Sequence, residues 1–588
     1  MSHKPRMALL AGLFAATLLT LPCLADDVGA AGTSRAVGDT LTVLMRPILS
    51  VPTITVPGGS FTIEARASSG TTGWTAALER NSASHALTVD GAAYSGSFER
   101  WFIDVTVPLA VPEEMYALTV SASGGVADTE AHAVMVRQSI DDSFYFVQVT
   151  DTHLPTHLYY YQDGADTDTS EMSDLHAVID DINIMNPAFV LLTGDVINEG
   201  ELEDFLDKRY FTRTKRILQK LDVPVFLSAG NHDIGGWDDT PPADGTARRT
   251  WWRFFGWSYL YDPPSGDNIY TQNYSFDYGG AHFVSLEAYN NYDRWRRPIY
   301  GTDSFTTKQL SWMVSDLSAA PPSAPVVAFY HMDFDDEINL GSLGIDCALW
   351  GHIHSSSGST GSPPFNLSLD NACDGGRAMR VVRIVNGSTV DPSEPIEAGS
   401  TGYNLRRAFE YANDGTRETN AASIINNQPE DFEHAIMKFR MAADSAPYEV
   451  DVGELFQTVT EGSVATCYVK VNAQSSSVTV VNISPQQGSG VEEDAVGRMT
   501  LLGPSYPNPA LEGASIAFSL GSQGAVTVEV YDVAGRRVRT VEDAVRPSGP
   551  HAVTWDLRDE SGETVSAGVY LWRISGLGTV LSSKLVVL

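Results

Sequence analysis

Five short stretches carry the side chains best suited to chemistry: Asp151-Thr152-His153, Gly194-Asp195, Gly230-Asn231-His232-Asp233, His331 and Gly351-His352-Ile353-His354. Each follows directly on an apolar run, FYFVQVT, AFVLLT, VPVFLSA, APVVAFY and CALW in turn. Singly they say little. Asp-x-His arises often by chance, and Gly-Asn-His-Asp reads equally as a turn, since Gly, Asn and Asp all tolerate turn geometry. Together they form a metal-ligand pattern. Imidazole mixed with carboxylate suits zinc, iron or manganese, whereas an all-oxygen set would suit magnesium or calcium. Asp151, His153, Asp195, Asn231, His331, His352 and His354 make seven donors. That is too many for one tetrahedral ion and the right number for two divalent or mixed-valence transition-metal ions. In Asp151-Thr152-His153 and His352-Ile353-His354 the donors stand two apart, so on extended backbone both face one side. The glycines before Asp195, Asn231 and His352 permit close backbone approach.

A sheet must bring these stretches together. From Phe144 to about Ile384 the runs FYFVQVT, AFVLLTG, VPVFLSA, HFVSLE, APVVAFY and CALWG read as buried strands. SDLHAVIDDIN (Ser173 to Asn183) reads as a helix with a Ser cap and with Leu175, Val178, Ile179 and Ile182 on one face. TKRILQKL and TTKQLSWMVSDL read likewise. Strand, helix, strand argues for a layered α/β domain, whose strands open at their carboxyl ends on one crevice. Residues 38–138 instead alternate short β-rich runs with Gly, Ser and Pro turns, as in an immunoglobulin-like β-sandwich. No ligand-type cluster occurs there, so it reads as a scaffold or binding module. Strand-like runs return in residues 391–490, and a last compact β unit covers 500–588.

The whole chain of 588 residues is too long for one core. Its formal net charge of −35, with no run of Lys and Arg long enough for a patch, argues against nucleic-acid binding. Residues 1–25 read as a signal peptide: His3, Lys4 and Arg6, then ALLAGLFAATLLTL, then Cys23-Leu24-Ala25. No other stretch is apolar enough to span a bilayer, so the mature chain is expected to be exported, secreted or at the cell surface, without a transmembrane segment. Cys347 and Cys373 could pair, leaving Cys467 free, but geometry is needed to decide. Three scattered cysteines cannot build a structural zinc site.

With its motifs in this order, the segment from 144 to 384 resembles the calcineurin-like metallophosphoesterase superfamily. Resemblance implies a central domain over 143–388 built as a β-sandwich flanked by helices, with all-β modules around it. It also implies roles: Asp151, His153 and His354 on the first metal, Asn231, His331 and His352 on the second, Asp195 bridging both. The second motif, GDVINEG, departs from the Gly-Asp-x-x-Asp of many members. Two metals about 3.5–4 Å apart lower the pKa of a bridging water and neutralise phosphoryl oxygens, so metal-bridged hydroxide would attack a phosphoester. His232 is the candidate proton donor to the leaving oxygen, with Asp233 orienting it or raising its pKa. Gly-Asn-His-Asp slightly favours phosphodiesters, by resemblance to cyclic-nucleotide phosphodiesterases. A phosphomonoesterase or nucleotidase on the same site is the alternative, as is a non-catalytic surface-binding protein with a vestigial site.

Other residues are weaker candidates. His157 and Tyr159 to Tyr161 could line a pocket, and Arg294, Arg296 and Arg297 could meet a phosphate. Trp237 and the pair Trp251-Trp252 could form a lid, with core packing the favoured reading. His282 reads as structural. Finally SYPNPA, VEVYDVAGRRVRT, HAVTWDLRDESGETVSAGVYLWRI and SSKLVVL resemble a type IX secretion sorting domain or the related flagellar hook-capping immunoglobulin-like fold. That resemblance implies export machinery as a partner.

Overall fold

The computed structural model of the chain describes residues 40–155, 170–204, 208–234, 246–256, 272–287, 305, 307–333, 338–399, 405–486, 499–501, 505, 508–511, 513–533, 535–577 and 579–587. The expected signal peptide, His157, Tyr159 to Tyr161, Trp237, Arg294, Arg296 and Arg297 lie outside the described residues. The chain divides into two compact units, one built on residues up to 399, the other on 400–588 together with 184–186.

In the first unit, residues 44–136 form two sheets of four and five strands. Alternation along the strands explains why they pair. In Arg100–Thr106 and Glu114–Ala122 inward apolar residues such as Ile103, Val105, Leu118 and Val120 share one core with Trp74, Trp101 and Tyr116. The alternation is what the sequence showed.

Two further sheets follow. Phe144–Val149 sits centrally in the first, parallel to Val190–Leu192, which is parallel to Val225–Leu227; on its other side Ala378–Val385 runs antiparallel. In the second, Ala281–Ser285, Val326–Phe329, Cys347–Trp350 and Phe365–Ser368 run parallel, with Tyr274–Tyr278 antiparallel at one edge. The parallel strands are buried nearly throughout, which is why they read as unbroken apolar runs. One aromatic-rich cluster draws on both sheets: Phe146, Phe189, Phe226, Phe283 and Phe329 with Leu191, Leu349 and Leu367. A second cluster sets Met313, Leu310 and Leu317 of the helix Thr307–Ala319 against Val284, Ala328 and Ala348 of the second sheet. Leu175, Val178, Ile179 and Ile182 of the helix Ser170–Met185 are buried as expected. That helix starts three residues before Ser173, so Ser173 is inside it and not its cap.

Two boundaries differ from expectation. The first sheet continues through Thr389–Pro392 and Ile396–Glu397, both paired to Ala378–Val385, so the chain leaves it after 397 and not at 388. The reason is a tight return at Asn386-Gly387, both with positive φ, that brings Val390 into the core beside Ile384. And the stretch from 41 to 51 is not confined to the N-terminal module: Leu41, Met45, Ile48 and Val51 belong to the same apolar cluster as Phe146 and Phe226.

In the second unit, residues 405–485 form sheets of four and three strands, and residues 499–587 form sheets of three and four. The latter close on Trp555, Trp572, Phe518, Ile516, Val528 and Ile574. Cys347, Cys373 and Cys467 are all free and buried, so the Cys347–Cys373 pairing is not made. No described helix is long and apolar enough to cross a membrane.

Candidate metal centre

The parallel strands of both sheets deliver their carboxyl ends to one place. Val149 leads to Asp151, Leu192 to Asp195, Leu227 to Asn231, Phe329 to His331 and Trp350 to His352. Among the described residues, three groups of donors each lie within 4.8 Å of one another: Asp151, His153 and His354; His153, Asp195 and His232; Asp195, His331 and His352. Asn231 is buried and adjoins His232 in the short helix Asn231–Ile234.

The backbone reaches this arrangement in an unexpected way. Asp151, His153, Asp195, His352 and His354 have φ of 51°, 45°, 46°, 69° and 46°. These are left-handed conformations, not the extended backbone expected to place donors on one side. Each costs about 1–3 kcal/mol and persists only where the surroundings impose it. Here they do: Asp151 N and His153 N donate to Gly194 O and Asp195 O at 3.0 Å each, and Gly351 N to His331 O at 3.0 Å. The preceding glycines have the expected role. A Cβ at Gly194 would strike the His331 ring, one at Gly230 the Asp195 carboxylate, and one at Gly351 Thr150 and Asp151.

Each carboxylate uses one oxygen for the fold and keeps the other for the site. Asp151 Oδ2 accepts from Thr150 Oγ1 at 2.7 Å and from His352 N at 3.0 Å. Asp151 Oδ1 faces His354 Nε2 at 3.3 Å and His153 Nε2 at 3.7 Å. Asp195 Oδ1 accepts from His232 N at 2.9 Å, while Oδ2 faces His331 Nε2 at 2.9 Å. The imidazoles are held from behind. His331 Nδ1 donates to Thr193 O at 2.8 Å, which leaves its Nε2 aimed inward. His153 Nε2 and His354 Nε2 point at each other at 3.1 Å.

The electrostatics describe a place that wants cations. Asp151 and Asp195 are fully buried, and burial alone would raise both. The surrounding imidazoles together outweigh burial and hold both below the usual carboxylate range, His331 foremost, with His153 and His354 at Asp151 and His232 and His153 at Asp195. In return, burial works against His331 but the Asp195 and Asp151 carboxylates push it up to about 9. Asp151 Oδ1 and Asn231 Oδ1 are buried with no hydrogen bond to a protein group. Inward-facing oxygens and imidazole nitrogens of this kind fit divalent transition-metal ions.

His232 and Asp233 depart from expectation. His232 Nδ1 donates to Asn198 O at 2.6 Å, not to Asp233. Both Asp233 oxygens take backbone amides: Oδ2 accepts from Gly230 N at 2.7 Å and Oδ1 from Ile197 N at 3.0 Å. Side chains adjacent on a tight turn diverge, so the carboxylate next in sequence ties two loops together and does not orient the ring. Nor is His232 raised: burial pushes it down to about 4. Burial, then the Asp195 charge, push Asp233 up to about 8. Trp251 and Trp252 are core residues, Trp251 donating to Gln272 Oε1 at 2.7 Å. His282 bridges Asp277 and Asp316 at 2.7 and 3.0 Å, a structural role.

Asn198 and Asn371 were not singled out in the sequence. Asn371 Nδ2 lies 3.1 Å from His354 Nδ1. The signal was present: Phe365–Ser368 is one more parallel strand, and DNA follows it as DTH follows FYFVQVT.

Residues 144–356 match the family model described as calcineurin-like phosphoesterase, and residues 510–578 that described as FlgD Ig-like domain. No curated protein matches the chain. Among solved structures, a dimetal phosphatase from Danio rerio is similar at 17% identity, covering 44% of this chain and 99% of that one with a TM-score of 0.28. A purple acid phosphatase from seeds of yellow lupin, Lupinus luteus, is similar at 10% identity, covering 62% and 70% with a TM-score of 0.32. The chain thus carries a calcineurin-like phosphoesterase domain over residues 144–356, and of the two C-terminal resemblances it is the hook-capping, immunoglobulin-like one that the family model matches.

Proposed function

We propose that the chain is an exported, metal-dependent phosphoric ester hydrolase that holds two transition-metal ions, manganese, iron or zinc, and favours phosphodiesters. The observation that carries this is the sharing of donors: Asp195 and His153 each belong to two of the three ligand groups. Asp151, His153 and His354 would hold one ion, Asn231, His331 and His352 the other, and Asp195 both. Two ions so held supply Lewis acidity toward water and toward the phosphoryl oxygens.

The chain's own residues do the rest. His232 is the proton donor to the leaving oxygen. Its Nδ1 is committed to Asn198 O, so Nε2 is the atom that gives the proton. A phosphate ester beside the ring restores the proton affinity that burial removes. Asp233 positions both loops by holding Gly230 N and Ile197 N. The preference for diesters rests on the Gly-Asn-His-Asp motif. Export rests on the basic and apolar start of the chain and on the C-terminal resemblance to sorting domains, with export machinery as the partner.

The test is hydrolysis of bis-p-nitrophenyl phosphate and p-nitrophenyl phosphate by manganese-loaded protein, beside Asp195→Ala and His232→Ala. Diester turnover that disappears in Asp195→Ala supports the proposal. Faster monoester turnover replaces it with a phosphatase. Failure to bind metal leaves the chain a surface-binding protein.

A further inference from the structure

One parallel strand of the second sheet leads to a carboxylate that the metal centre does not use. Ser285 pairs with Phe329, so Glu287, two residues beyond the strand Ala281–Ser285, stands at the level of His331, two residues beyond Val326–Phe329. Leu286 N donates to Phe329 O at 3.1 Å, which carries the pairing past the strand end. Topology alone would bring a carboxylate at that level to the crevice. Yet among the described residues Glu287 belongs to none of the three donor groups. Its oxygens are engaged elsewhere: Oε1 accepts from Arg248 Nη1, and Oε2 from Gln272 N at 2.9 Å. Both charged side chains are buried. A buried ion pair is a weak source of stability, since each charge gives up its water. What it supplies is direction, because a guanidinium fork meets a carboxylate in few geometries.

That direction reaches the site through the helix Thr246–Phe254, which carries Arg248. The apolar side of the helix packs on Phe211, whose ring lies 5.5 Å from that of Phe254 and 6.3 Å from that of Trp251. Trp251 Nε1 donates to Gln272 Oε1 at 2.7 Å, and Gln272 Nε2 to Phe255 O at 3.0 Å. Gln272, itself bonded to Glu287, thus secures the end of the helix. Ala247, next to Arg248, meets the turn of the site across Gly200. A Cβ at Gly200 would lie 2.6 Å from Ala247 Cβ and 2.5 Å from Asp233 O, so the contact is too close for even a methyl group. Asp233 belongs to the short helix Asn231–Ile234, and its carboxylate holds Gly230 N and Ile197 N. From this geometry we propose that Arg248 and Glu287 are positioning residues for the ion of Asn231, His331 and His352: their pair presses the helix Thr246–Phe254 onto Gly200 and so fixes the turn that presents Asn231 and His232. The inference rests on the two-ion reading of the site. It gives the carboxylate beside His331 a part in that site through packing.

The test compares the full chain with the double variant Arg248→Met, Glu287→Met. Losing both charges together leaves neither one stranded, so the melting midpoint is expected to stay near the wild-type value. Zinc binding is read by chelator competition, with Asn231→Ala to identify which step belongs to its ion. That ion is expected to bind about 10-fold more weakly in the double variant and the other as in wild type. With manganese saturating, kcat for bis-p-nitrophenyl phosphate is expected to fall about 10- to 100-fold with KM unchanged. Amide hydrogen exchange, read without metal, is expected to quicken in residues 197–200 and 230–234 and to keep its wild-type rate in residues 144–149. A pair that serves stability alone predicts wild-type ions, turnover and exchange once both charges are gone, and that result overturns the proposal. Equal weakening of both ions overturns it too. If the double variant does not fold, Arg248→Lys, which keeps the charge but not the planar fork, decides by the same readings. A wild type that binds fewer than two zinc ions sinks the two-ion reading, while the metal-free exchange still decides whether the pair fixes the turn.

Discussion

The N-terminal and C-terminal β modules are built from the same kind of strand but keep their cores differently. The C-terminal one closes on itself: its cluster around Trp555, Trp572 and Phe518 draws only on residues 499–587. The N-terminal one has such a core too, around Trp101 and Leu118, yet its first residues belong elsewhere. Leu41, Met45, Ile48 and Val51 pack with Phe146, Phe189 and Phe226 of the phosphoesterase domain. Leu227 N donates to Ser50 O at 3.0 Å, and Ser50 Oγ to Phe255 O at 2.6 Å. The strand Val225–Leu227 is the edge of its sheet, and it leads to Asn231 and His232. An edge strand left open would be free to fray or pair wrongly. The segment at 48–51 covers it. One module is thus part of the wall behind the site, and the other is a body with a core of its own.

That contrast is broken most severely by excision. Removal of residues 40–138 uncovers the edge strand and strips four apolar side chains from the central cluster, so the remaining phosphoesterase domain is expected to lose cooperative melting and metal retention. Removal of residues 499–588 is expected to leave p-nitrophenyl ester hydrolysis and the main melting transition at wild-type values. Equal tolerance of both cuts would refute the distinction.

A single substitution sharpens it next. Trp555 is fully buried, with its ring 5.4 Å from Tyr570 and 6.2 Å from Trp572. Trp555→Ala is expected to cost about 4 kcal/mol, confined to the C-terminal module. Hydrogen exchange would show loss of protection in 499–587 alone, with hydrolysis unchanged. On the N-terminal side the matching change is Lys215→Ala. Lys215 Nζ lies 2.8 Å from Glu130 Oε1, both side chains almost wholly buried, with Glu130 on a strand of the module and Lys215 on the helix Tyr210–Leu218. Burial already pushes Glu130 upward, so protonation relieves part of the loss. The expected cost is about 3 kcal/mol. It should register as lowered denaturation midpoints for the whole first unit, and Lys215→Met with Glu130→Leu should recover most of it.

Much of this was legible in the sequence, for a stated reason. The parallel strands are buried on both faces, so they appear as apolar runs, and their carboxyl ends share a crevice by topology, so whatever polar residue follows the run lands there. That rule alone singles out Asp151, Asp195, Asn231, His331 and His352, and among them Asp151, Asp195, His331 and His352 belong to the donor groups. What escaped were relations that run through space. Asp233 adjoins His232 in sequence, yet the turn sends its carboxylate to the amides of Gly230 and Ile197. Asn371 follows a strand as the others do, but asparagine in DNACDGG reads as a loop residue until His354 is seen beside it. The covering of Val225–Leu227 by residue 50 was invisible for the same reason, since nothing in TLTVLMRPILSV reports which core its leucines will join.

The finest test of the contrast is pH. His132, on the strand Val126–Val136 of the N-terminal module, has Nε2 at 3.0 Å from Val223 O, just before the edge strand that the module covers. Burial pushes its imidazole down to about 4; the bond to Val223 O and the Asp222 charge oppose this, and Arg80 adds to it. The folded state therefore holds His132 neutral while the unfolded chain, with an ordinary value near 6.5, takes up a proton first. Stability from this group is complete above the unfolded value and is lost as pH falls toward the folded one. Between about pH 7 and about pH 5 the loss is about 2 kcal/mol. It should appear as an acid-side slope in the denaturation midpoint of the first unit, absent from the C-terminal module and flattened in His132→Gln, whose amide can still reach Val223 O. A slope unchanged by His132→Gln would mean that acid loosens the first unit elsewhere, and that this seam between module and phosphoesterase domain does not respond to pH.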